Sequence, residues 1–135
     1  MPKQIPQIRE FMTHLPHTVD AHDALTIVQR LMKEYDIRHM PVQKNGKLVG
    51  IVSERTIKSA LSLPNSDKLM AEDLVTGDPL VVLSHTPLDE VAARMADEKF
   101  GSVLVEAEDG KLVGIFTTVD ACRALRQLIE MHYPE

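Results

Sequence analysis

The sequence predicts a mixed α/β (α+β) fold in which one β-α-β-β-α unit is built twice. Three observations carry this. The run Gly46-Lys47-Leu48-Val49-Gly50-Ile51 recurs as Gly110-Lys111-Leu112-Val113-Gly114-Ile115. Such self-similarity at a fixed period marks a repeat architecture. The match also extends outward: Leu25…Met32 aligns with Leu88…Met95, Thr13 with Thr76, Pro16 with Pro79 and Val42 with Val105. Finally, each copy passes in the same order from helical to strand periodicity. One extra residue in Glu106-Ala107-Glu108-Asp109, against Gln43-Lys44-Asn45, shifts the register between the two ends of the alignment.

In the first copy, Ile8 to Met12 is a lead-in and Thr18-Val19 a short strand. Ala24 to Tyr35 is a helix, with Leu25, Val28, Leu31 and Met32 on one face. Arg38 to Gln43 is a strand in which Pro41 points to a sheet edge or a strand end. Lys44-Asn45-Gly46 turns the chain, because Asn-Gly tolerates positive φ. Leu48 to Val52 returns, and Thr56 to Leu63 forms a second helix. Pro64-Asn65-Ser66-Asp67 then breaks the pattern.

The second copy opens with a short helix over Lys68 to Leu74 and a strand at Leu80 to Leu83. Pro87 to Glu98 is a helix with proline in its first turn. Ser102 to Glu106 and Leu112 to Phe116 are strands joined through Asp109-Gly110. The last helix runs from Thr118 to about Met131. The expected organisation is therefore repeat 1 at 7–63, a linker at 64–67 and repeat 2 at 68–131. One copy alone is too small to bury a stable core. The two copies are thus expected to pack through their sheets with pseudo-twofold symmetry, leaving apolar helix faces for a second chain.

The chain has 135 residues, a net charge of −5 and 44% apolar residues. The negative charge argues against duplex nucleic acid or an anionic membrane as partner. No apolar run approaches the ~20 residues of a membrane span. The amino-terminal residues carry no secretion signal. A single cysteine, Cys122, permits no internal disulfide, which fits a cytoplasmic location. Trp is absent and aromatic residues make up 4%, so a stacking platform for single strands is not expected. His14, His17 and His22 match no zinc spacing, and no metal site is expected. His85 and His132 read as surface residues. Cys122 reads as a buried or half-buried helix position. Met32 and Met95 read as core, and Asp97 with Glu98 as a solvated helix end. No acid/base pair and no activated nucleophile is visible, so the chain is not read as an enzyme.

The repeat resembles the cystathionine β-synthase (CBS) domain, and the chain a tandem CBS pair, or Bateman module. The first copy supplies Met12-Thr13, Leu25…Met32, Met40-Pro41-Val42 and Gly46 through Ser53. The second supplies Val75-Thr76, Leu88…Met95, Leu104-Val105 and Gly114-Ile115-Phe116-Thr117-Thr118-Val119-Asp120. The resemblance covers about residues 7–130. It implies a regulatory module that binds an adenosine nucleotide in the cleft between the repeats and signals through a homodimer.

Thr117-Thr118-Val119-Asp120 follows a strand and opens a helix, where unpaired N–H groups welcome an anion. The resemblance implies that Asp120 holds a ribose and that Thr117 or Thr118 contacts ribose or phosphate. The same residues also read as a capping box, and the two roles are compatible. Thr56 stands where Asp120 would be in the first copy. Ser53, Arg55 and Thr13 therefore mark only a weaker second site. Arg38 and His39 read either as phosphate contacts, which the resemblance implies, or as a solvated basic edge. Arg55 and Lys58 are alternatives for the phosphate. Thr76, Gly77, Asp78, Leu80 and Val103 are the expected walls for the base, with Gly77-Asp78-Pro79 equally readable as a plain turn. No obligatory cofactor is implied. A rival reading from the same residues is a structural dimerisation module that docks on an unidentified protein and has no small ligand.

Overall fold

The structure is a computed structural model, and it describes residues 4–14, 17–75 and 79–134. Its elements follow the predicted order. A 3-10 turn at Ile8–Glu10 leads to β1 (Thr13–His14), β2 (Val19–Asp20), α1 (Leu25–Glu34), β3 (His39–Lys44), β4 (Lys47–Ser53) and α2 (Glu54–Leu61). Two further 3-10 turns, Ser66–Lys68 and Ala71–Leu74, precede β5 (Leu80–Leu83), α3 (Leu88–Glu98), β6 (Ser102–Glu106), β7 (Leu112–Thr117) and α4 (Thr118–His132).

The strands form two sheets, with orders β2-β3-β4 and β1-β7-β6-β5. In each, the first strand of a repeat runs parallel to the second, and the second pairs antiparallel with the third. The chain divides into two compact units, and they do not coincide with the two sequence repeats. One is built from the described residues of Met1–Pro16 and Pro79–Glu135, the other from those of His17–Asp78. The lead-in of the first repeat thus belongs with the body of the second. Strand β1 pairs antiparallel with β7, Thr13 opposite Ile115. Ile8 is fully buried in the same core as Val91, Val105 and Phe116. The lead-in of the second repeat behaves equivalently: Ala71 joins the core of Leu25, Val28, Met40 and Ile57. The bridges Gln7↔Pro87 and Ala24↔Met70 are counterparts in the two units.

The duplicated hexapeptide acquires a physical reason. Asn45 and Gly46 have φ of +54° and +77°, the two left-handed residues of a type I′ hairpin that suits strand twist. Gly110 has φ +86° in the longer second turn. The register of each hairpin then shifts once, at Val42/Gln43 and at Val105/Glu106. The second glycine of the motif lies under a lead-in. A Cβ on Gly50 would strike Val75, and one on Gly114 would strike Met12 and the Thr13 carbonyl.

Several expectations shift. The segment expected as a helix over Lys68–Leu74 is two 3-10 turns around an extended Met70. Its amides are drawn outward, Ala71 N–H to the Asp23 carbonyl and Glu72 N–H to that of Ala21. Helix α2 starts two residues before the expected Thr56, because Ser53 caps it. Pro41 sits in the central strand of its sheet, not at an edge. It is tolerated because two-residue β2 covers only Val42 and Gln43. Cys122 is exposed, not buried, since α4 turns Asp120 and Ala124 inward. Met32 and Met95 are core residues as expected, each on the buried face of its helix with Val28 or Val91.

Candidate functional site

Asp120 is a buried charged residue, 5% exposed, at the third position of α4. The preceding strand ends at Thr117, whose extended backbone makes it the N-cap. The Thr117 N–H donates to Asp120 Oδ2 at 2.9 Å, and its hydroxyl donates to the same oxygen at 3.2 Å. The Asp120 N–H donates back to Thr117 Oγ1 at 3.4 Å. This is the reciprocal capping box that the sequence allowed. The second carboxylate oxygen faces elsewhere. Thr13 Oγ1 donates to Asp120 Oδ1 at 2.9 Å, and Arg123 Nη1 lies 3.7 Å from that oxygen. Both carboxylate oxygens are therefore aligned by donors, as a buried charge requires. A carboxylate oxygen offers more than one lone pair, so acceptor capacity for a ligand hydroxyl remains.

By its sequence position Thr13 belongs with Ser53 and Arg55 at the weaker second site. The structure moves it to Asp120, because β1 is an edge strand of the β7 sheet. Sequence proximity to the first repeat conceals this, because nothing local to Thr13 says which of the two sheets its strand joins. Arg123 was missed as well. Its signal was simple helical spacing, three residues beyond Asp120.

The equivalent place in the other unit is neutral. Ser53 and Thr56 hydroxyls are 2.9 Å apart, and the Thr56 N–H donates to Ser53 Oγ at 3.2 Å. Arg55 is exposed beside this cap. Lys58 pairs with Glu54 at 2.8 Å. That hydrogen bond, with the Lys58 charge, holds the Glu54 carboxyl below its ordinary value. Arg38, exposed, and His39, half-buried, lead into β3 of this same unit. The Arg38 carbonyl accepts from the Glu54 N–H at 2.8 Å, as the Gly101 carbonyl does from Thr118 N–H at 3.1 Å.

The expected base walls fare differently. Thr76, Gly77 and Asp78 lie outside the described residues. Leu80 and Val103 stand opposite each other on β5 and β6, but both are core: Val103 is 0% exposed and packs with Phe116. Thr118 is exposed at the first turn of α4. The clustered histidines separate: His17 stacks on Tyr35 with ring centroids 3.5 Å apart, and His22 lies between Asp20 and Glu72. Helix α4 leaves Val119, Leu125, Ile129 and Met131 exposed, and Tyr133 just beyond its end is exposed too. Among the described residues, no helix is long and apolar enough to cross a membrane.

Comparison with known proteins gives consistent matches. The family model of the CBS domain matches residues 8–63 and again 71–127. An inosine-5′-monophosphate dehydrogenase of Korarchaeum cryptofilum is 32% identical over 120 residues, 89% of this chain and 24% of its own length. The chain spans about a quarter of the length of that protein and of the L-aspartate semialdehyde sulfurtransferase of Methanocaldococcus jannaschii. Among solved structures, a Vibrio cholerae protein named for acetoin utilization, AcuB, superimposes with a TM-score of 0.80 at 30% identity, covering 98% of both chains. CBSX2 of Arabidopsis thaliana in complex with AMP gives 0.73 at 30% identity, covering 90% of this chain and 97% of that one.

Proposed function

The chain belongs to the CBS-domain family, and from that premise we propose that it is a regulatory module that binds an adenosine nucleotide at Asp120. The single observation behind this reading is the buried Asp120 carboxylate at the start of α4, aligned by Thr13 and Thr117. A carboxylate pre-oriented in this way suits the two adjacent hydroxyls of a ribose, because both of its oxygens accept and neither needs reorganising on binding. The positive end of α4 adds a favourable field for phosphate. The AMP complex of CBSX2 supports the ligand class. Because Thr56 replaces the carboxylate in the other unit, the nucleoside site belongs to Asp120 alone, and the Ser53 and Arg55 cap is the weaker one. The chain's role is regulatory and not catalytic. The exposed apolar residues of α4 form the surface through which a second copy docks, and occupancy is signalled through that dimer. The ligand regulates only insofar as it binds two arrangements with different affinity. The compartment that fits one free thiol is the cytoplasm.

The same exposed apolar residues of α4 favour a second reading, a protein-docking module without a small ligand. Thermal unfolding against AMP, ADP, ATP, S-adenosylmethionine and GMP separates the two. A ligand at 100 times its dissociation constant adds about 2.7 kcal/mol, a rise on the order of 5–15 °C. A rise with an adenosine compound, absent in a folded Asp120→Asn variant, supports the nucleotide reading. No rise with any compound leaves the docking module.

A further inference from the structure

We propose that Arg123 makes this site select a 5′-phosphorylated adenosine over an uncharged nucleoside or a sulfonium compound, an inference that rests on the nucleotide reading of Asp120 and names its ligand class. Arg123 follows Asp120 by one helical turn and therefore projects from the same side of α4. Its Nη1 lies 3.7 Å from Asp120 Oδ1, while the side chains are 71% and 6% exposed respectively. At that separation the pair attracts without a hydrogen bond, and solvent screens it. The contrast with other arginines is clear. Arg126 is hydrogen-bonded to Glu130 at 3.0 Å, and Arg94 to Glu98 at 2.9 Å. Arg123 is thus held near the buried carboxylate and is easily moved.

A vicinal diol that donates to Asp120 occupies the lone pairs that face Arg123 and crowds the guanidinium away from Oδ1. The guanidinium is then released toward the next anion. On a nucleotide that anion is the 5′-phosphate, one ribose ring and one methylene away, a span comparable to the arginine side chain. The planar fork of five donors matches phosphate oxygens in pairs. A nucleoside without phosphate takes Asp120 from Arg123 and returns nothing. A sulfonium at the 5′ position is repelled. The expected order is AMP, then adenosine, then S-adenosylmethionine. Arg123 shares a compact unit with Asp120, and so does not depend on Arg38 or His39 of the other.

Calorimetric titration of the full chain with AMP and with adenosine tests this, using wild type, Arg123→Gln, Arg123→Lys, Arg38→Gln and Asp120→Asn. Wild type is expected to prefer AMP by about tenfold or more, the worth of a charge-assisted contact. Arg123→Gln abolishes the preference for AMP, and adenosine, which no longer competes with Arg123 for Asp120, binds as well as it does to wild type or better; Arg123→Lys keeps part of the preference. An unchanged melting curve shows that Arg123→Gln is folded. Equal wild-type affinities, a preference that survives Arg123→Gln, or one that collapses in Arg38→Gln instead, each overturns the proposal while the nucleotide reading stands. Wild type that binds neither compound removes the nucleotide reading and the proposal with it. Asp120→Asn that still binds both places the nucleoside elsewhere and overturns the role of Arg123.

Discussion

The Thr13 hydroxyl donates to Asp120 Oδ1 at 2.9 Å across 107 residues of sequence. This bond joins the lead-in of the first repeat to the helix start of the second, and both ends lie in one compact unit. It links a structural tie to the residue on which the functional reading rests.

Replacing Thr13 with valine keeps the shape and the strand preference of the residue but removes the donor. Loss of one hydrogen bond to a buried carboxylate costs about 1–3 kcal/mol. The melting temperature should fall, and amide protection should drop in β1 and in the first turn of α4. Thr13→Ser should restore most of both. Equal stability of Thr13→Val and wild type would show that the bond contributes nothing.

Gly114→Ala should destabilise by about 1–3 kcal/mol or more, because overfilling a packed site forces neighbours to move. The new Cβ meets the Thr13 carbonyl oxygen at 2.9 Å, and backbone has little room to yield. Gly101→Ala is the control: its Cβ would meet nothing within 4 Å. Chemical denaturation of the two variants side by side decides the matter, and equal midpoints would contradict the packing argument.

Ile8→Ala should cost about 2–5 kcal/mol, the usual range for emptying a buried aliphatic site. The damage should fall on the unit that Ile8 fills, so hydrogen exchange accelerates in β6 and β7 and not in β3 and β4. Faster exchange in β3 and β4 would mean that the lead-in stabilises its own repeat instead.

The Glu54 carboxyl is held below its ordinary value, first by the hydrogen bond from Lys58 and then by the charge of Lys58. The linkage has a definite sign. A depressed folded-state value gives helix α2 a contribution that is present above the usual glutamate range and is lost as pH falls through the depressed value. An NMR titration should find the Glu54 midpoint lowered in wild type and restored in Lys58→Met. Identical midpoints would remove the pair as a cause.

The repeat, the element order and the Asp120 cap were legible because each depends on neighbours in sequence. Asn45-Gly46 dictates its own turn, and Thr117 with Asp120 dictates its own helix start. The residues that escaped depend on distant parts of the chain. Thr13 reads as a partner of Ser53 until β1 is seen to pair with β7. Val103 reads as a ligand wall until β5 and β6 bury it. Cys122 reads as buried or half-buried because an apolar residue on an amphipathic helix does not reveal which side the sheet takes. Pro41 reads as a sheet-edge or strand-end residue because the sequence does not say that β3 lies between β2 and β4. In each case, which segment pairs with which decides the outcome, and a one-dimensional pattern does not carry that information.

The exchange of lead-ins also sets an order of events during synthesis. The unit of His17–Asp78 is one continuous stretch, so it can close before the second half has been translated. The other unit joins the two stretches that flank this one, and it remains open until α4 is complete. Until then Ile8, Phe11 and Met12 wait outside a core that does not yet exist. Exposed apolar segments of this kind are where misassembly begins. The continuous unit therefore assembles first and the one built from two stretches last, so a chain that lacks α4 strands Ile8 and its neighbours as well.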